Sequence, residues 1–78
     1  MSMSFSVRVT DDDGQPIEGV NVTADFGIFN GQADAYTGYN GWAEIDTSGD
    51  YVTCTIFVGG ENQGEYAVRD GATFSFSV

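Results

Sequence analysis

The chain has 78 residues, with twelve acidic side chains, two arginines and neither lysine nor histidine, for a net charge of −10. A field of that sign repels phosphate, which excludes nucleic acid and anionic membrane as ready partners. Cys54 is the single cysteine, so an intrachain disulfide, a Cys/His zinc site and a His-activated nucleophile are excluded too. Leucine is absent while Val, Thr, Phe, Tyr and Gly abound, so the expectation is an all-β single domain over residues 1–78. A chain this short buries only about 60% of its unfolded surface. Without staples, its stability must come from β packing, from association, or from both. Acid-rich composition without lysine matches the surface of proteins from salt-loving organisms, or else an ordinary acidic protein.

Met1-Ser2-Met3-Ser4 has no basic or apolar signal-peptide region, and no apolar run reaches membrane-spanning length. An extracellular, virion or cell-surface setting is expected over the cytoplasm, reached by lysis, within a particle, or as a fragment of a longer chain. Met3, Phe5, Val7 and Val9 alternate with Ser4, Ser6, Arg8 and Thr10, the signature of a strand with one wet face. Asp11 to Glu18 then makes a turn-forming connection through Gly14 and Pro16. Val20, Val22, Ala24 and Phe26 face inward, and Gly27 to Gly31 forms a loop. A short strand near Ala33 to Thr37 leads to Asn40-Gly41, a hairpin signal. Ala43 and Ile45 then share one face, with Trp42 and Glu44 on the other.

Ser48-Gly49-Asp50 reads as a turn before the longest strand, Tyr51 to Val58. There Val52, Cys54, Ile56 and Val58 oppose Tyr51, Thr53, Thr55 and Phe57. Gly59 to Gly64 reads as a flexible hairpin loop, Glu65 to Arg69 as a brief strand and Asp70-Gly71 as a turn. Ala72 to Val78 closes the chain with Phe74, Phe76 and Val78 inward. Seven short strands at regular spacing predict an antiparallel β-sandwich.

The run Asp-x-x-Gly-x-Pro-Ile-x-Gly-Val-x-Val from Asp11, then Thr-x-x-Asn-Gly-x-Ala-x-Ile from Thr37, then Gly-Asp-Tyr-Val-Thr-x-Thr from Gly49, resembles two related groups. These are the carboxypeptidase-regulatory, transthyretin-like (prealbumin-like) domains and the bacterial Ig-like domains of invasin and intimin type. The likeness covers Val7 to Gly59, about two thirds of the chain. It implies a seven-stranded Ig-like or transthyretin-like sandwich serving as spacer, adhesion unit, accessory module or assembly part. One branch of the transthyretin relatives hydrolyses a purine-derived ring with histidines and a basic residue. A chain without histidine does not inherit that activity.

Trp42, Tyr39, Tyr51 and Phe57 fall on outward positions. Gathered on one sheet face they would mark a protein contact, stack on sugar rings, or pair across strands. Ile28 and Phe29 sit at a loop tip, to be covered by a partner or folded back as a lid. Arg8 and Arg69, the only cations, are candidate anchors for a neighbour's carboxylates. The end strands Met3 to Val9 and Thr73 to Val78 are candidate sites for pairing between subunits.

Asp11, Asp12 and Asp13, with Glu18, are weak calcium candidates: their spacing misses an EF-hand loop, and a solvated acidic turn is the simpler account. Cys54 alternates with core valine and isoleucine and reads as core. Glu44 with Asp46 could do acid–base work only in a cleft that a sandwich this small hardly affords. The sequence therefore predicts no enzyme and no cofactor. It predicts a structural or decorating subunit of a particle, filament or cell-surface layer, joined by protein contacts as a homo-oligomer or larger assembly. A carbohydrate-binding or adhesion module using the exposed aromatics is the alternative.

Overall fold

The computed structural model describes residues 3–27, 31–47 and 53–78. Seven strands are present: β1 (Met3–Thr10), β2 (Asn21–Asp25), β3 (Gln32–Tyr36), β4 (Trp42–Thr47), β5 (Thr53–Val58), β6 (Glu61–Ala67) and β7 (Thr73–Ser77). They form two sheets, β4-β1-β7 and β3-β2-β5-β6. The all-β expectation holds among the described residues, and so does the period-two pattern. Met3, Phe5, Val7 and Val9 of β1, Val22 and Ala24 of β2, Ala43 and Ile45 of β4, and Cys54, Ile56 and Val58 of β5 are all buried in one core. The turn expected at Ser48-Gly49-Asp50, and Tyr51 and Val52 of the expected longest strand, lie outside the described residues.

Four expectations need correction. First, the sandwich is not purely antiparallel, because β1 and β7 run parallel, with Val7 beside Phe74 and Val9 beside Phe76. Parallel neighbours cannot be joined by a hairpin, and here nearly the whole chain separates them. Second, β1 is not a free end strand: it is sandwiched between β4 and β7, so its ladder is occupied on both sides. Third, Gly59 to Gly64 is not a loop. Gly59 and Gly60, at φ +60° and +87°, make a two-residue turn, and β6 begins at Glu61 opposite Val58. Paired positive φ angles suit the twist of a tight hairpin, and the edge ladder that follows tolerates polar side chains. Fourth, Val78 is 47% exposed rather than inward, while Phe74 and Phe76 are partly buried.

The Asp11 to Glu18 connection and the hairpin signalled at Asn40-Gly41 are both corners between sheets. β1 and β2 lie in different sheets, as do β3 and β4. Two sets of hydrogen bonds explain the second split. The buried Thr37 side chain donates to Ile17 O (2.6 Å) and accepts from Val20 N (2.9 Å), and its carbonyl accepts from Gly19 N (2.9 Å), which holds the end of β3 to the approach of β2. Four residues on, Gly41 O accepts from Val9 N (2.8 Å), which draws β4 into the sheet of β1. Between them Gly38 N donates to Trp42 O and Gly41 N to Gly38 O, both at 2.9 Å, so the turn is tight while its strands diverge.

The sandwich is closed on its β6–β7 side by aromatic rings. Tyr66 packs against Phe74 and Phe76, both at 5.5 Å between centroids, and Phe5 meets Phe74 edge-on at 5.9 Å. Such geometries place ring edges on ring faces, where the quadrupoles attract.

Candidate contact surface

Trp42 opens β4 with its side chain directed away from the core, because it has the opposite parity to the buried Ala43 and Ile45. Its cross-strand neighbour is Arg8. Arg8 is half-buried, and its Nε is shielded from water with no hydrogen-bond partner among the described residues. A shielded guanidinium nitrogen without an acceptor is costly. Tyr39 stands at the tip of the β3–β4 corner, 83% exposed.

Phe57 does not join them. It alternates with the buried Ile56 and Val58 of β5, so it lies on the outer face of the other sheet, beside Thr23 and Asn62. The single aromatic face expected from the sequence is thus divided between opposite sides of the sandwich. Arg69 is exposed between β6 and β7. Tyr51, Ile28 and Phe29 lie outside the described residues.

One aromatic was missed. Tyr36 ends β3 at 68% exposure, just before the β3–β4 corner, and faces outward from the sheet that carries Phe57 rather than from that of Trp42. Its signal was the alternation Gln32, Asp34, Tyr36 against Ala33 and Ala35, in which small alanines mark the inward face and leave the tyrosine outside.

The acidic turn is held together by its own backbone. Asp11 Oδ1 accepts from Asp13 N and Gln15 N, both at 2.9 Å, and Asp11 N donates to Gln15 O. That is the local capping pattern of an Asx turn. Among the described residues no three His, Cys, Asp or Glu side chains gather as a metal site. Cys54 is buried in the core, and burial, then Glu65 and Asp25, push its thiol up to about 11, so it stays protonated. Glu44 and Asp46 point outward from β4, exposed. An apolar cleft of about 370 Å³, lined by Val20, Val58, Gly59, Glu61 and Val78, opens at one end of the sandwich.

No model of a known protein family matches the chain, and no curated protein is similar to it.

Proposed function

We propose that the chain is a non-catalytic β-sandwich of transthyretin-like type that acts as a structural or decorating subunit of a larger assembly, through protein contacts. One observation carries this reading. The most exposed aromatic side chains among the described residues, Tyr36, Tyr39 and Trp42, flank the β3–β4 corner, and Trp42 stands beside Arg8, whose buried Nε has no acceptor among those residues. Rigid aromatic rings next to an arginine are the composition of a contact hot spot. Of the two resemblances, strand order favours the transthyretin-like one. Immunoglobulin sandwiches put their second and third strands in different sheets, whereas β2 and β3 pair here within one sheet.

The test is sedimentation equilibrium on the wild-type protein and the Trp42→Ala variant, with circular dichroism as a check of folding. Trp42→Ala is expected to weaken association about tenfold or more while the strands persist. Loss of folding would instead assign Trp42 to the core. A wild type that stays monomeric, with Trp42 fluorescence shifting on added glycan, would replace assembly by the adhesion reading.

A further inference from the structure

We propose that the free edge of β7 is a homodimer contact, in which β7 pairs antiparallel with β7 of a second copy about a two-fold axis through Ser75. This goes beyond the aromatic corner, which borders the opposite edge of the same sheet with Arg8 between Trp42 and Ser75, but rests on the same reading of the protein as an assembly subunit.

Among the described residues four strands have one open side: β3, β4, β6 and β7. Open edges invite pairing, and proteins block them with charges and bulges. β3 carries Asp34, β4 carries Glu44 and Asp46, and β6 carries Glu61, Glu65 and an irregular register against β5. β7 carries nothing of the kind: Thr73-Phe74-Ser75-Phe76-Ser77 has no charge, no proline and no bulge. In a molecule of net charge −10, it is the edge at which two copies meet without opposing carboxylates.

The sequence of β7 selects the second copy as occupant. Read in either direction from Ser75 it runs phenylalanine, hydroxyl residue, apolar residue: Phe74, Thr73, Ala72 one way and Phe76, Ser77, Val78 the other. Antiparallel self-pairing centred on Ser75 therefore puts Phe74 opposite Phe76, Thr73 opposite Ser77 and Ala72 opposite Val78. The backbone agrees with this register. Ala72 O accepts from Ser6 N and Val78 N donates to Thr10 O, both at 2.9 Å, so even-numbered residues of β7 bond to β1. Thr73, Ser75 and Ser77 accordingly turn their amides and carbonyls to the open side, and they are the residues this register joins by hydrogen bonds. The exposed Val78 and the half-buried phenylalanines gain apolar neighbours in the same step.

The experiment is oxidation of the Ser75→Cys and Thr73→Cys variants, with sedimentation equilibrium of Ser75→Pro and Ser75→Glu. Hydrogen-bonded antiparallel partners have Cα atoms about 5.5 Å apart, within disulfide reach. Ser75→Cys is expected to give a covalent dimer and Thr73→Cys alone is not, with the buried Cys54 silent in both. Ser75→Pro, which removes an outward amide that β1 does not use, is expected to weaken dimerisation about a hundredfold. Ser75→Glu, which keeps every backbone group, is expected to weaken it by apposing two carboxylates at the axis. Failure of Ser75→Cys to cross-link, together with dimers unaffected by Ser75→Glu, overturns the β7 contact. If Trp42→Ala still dissociates that assembly, the proposed function stands and only the β7 edge falls; if no variant and no concentration shows association, both fall.

Discussion

Thr37 is the buried polar side chain among the described residues, and both hydroxyl functions are used. Its Oγ1 donates to Ile17 O at 2.6 Å and accepts from Val20 N at 2.9 Å. Thr37→Val keeps the shape but strands a backbone amide and a carbonyl, so urea unfolding should show a loss of about 2–3 kcal/mol. Thr37→Ser retains the hydroxyl and should lose much less. A valine variant as stable as wild type would mean that water replaces both bonds. Cys54 yields a prediction of a different kind, since burial pushes its thiol from 9.0 up to about 11. Between those pH values the unfolded chain releases a proton that the folded chain keeps, so folding stability falls as pH rises through the window. The loss across that window amounts to about 2–3 kcal/mol. Cys54→Ala, though less stable from its cavity, should show a shallower decline across the same interval in parallel urea titrations. The core role of Cys54 was legible from its alternation with Val52 and Ile56. The role of Thr37 was not, because a threonine at a strand end carries no sign of which distant carbonyl it will meet.

Elements tell a similar story about local and non-local information. Alternation along β1, β2, β4 and β5 revealed which side chains enter the core, because strand period depends only on neighbours in sequence. Which strands pair depends on contacts that alternation does not encode, and the Asn40-Gly41 turn shows how. Its residues are those of a hairpin, yet Thr37 binds one flank to β2 and Gly41 binds the other to β1. Gly41 is decisive there. Its φ is +81°, and a Cβ would lie 2.7 Å from Val9 O and 2.9 Å from Pro16 Cβ. Gly60, at φ +87°, has open space around it. Gly41→Ala should therefore cost about 3 kcal/mol or more, from the left-handed backbone and displacement of β1 together. Gly60→Ala should cost only the backbone share, about 1–2 kcal/mol. Thermal or urea melts of the two variants decide between them. Equal losses would mean that the Gly41 corner moves away from β1 without penalty, and that its close approach to Val9 is not what parts β3 from β4.

At the scale of the molecule, charge decides how copies approach one another. Each carries −10 at neutral pH, so long-range repulsion opposes every contact between them, whichever surface makes it. The proposed contacts are of two kinds with different salt responses. Backbone pairing at β7 and aromatic packing near Trp42 are indifferent to screening, whereas an ion pair at Arg8 or Arg69 weakens with it. Raising sodium chloride from about 0.1 to 1 M shortens the screening length from about 10 to 3 Å, which removes most of the repulsion between subunits. Association should accordingly tighten with salt, by about tenfold or more across that range in sedimentation equilibrium, and the melting temperature of the monomer should rise as its own carboxylates are screened. With that outcome the acidic composition, legible from the start as a mark of salt adaptation or of an ordinary acidic protein, would acquire a mechanical meaning as the means by which salt controls the proposed assembly. Loosening of the complex with salt would show instead that the arginines carry the contact, and Arg8→Gln would then dissociate the assembly where Ser75→Glu does not.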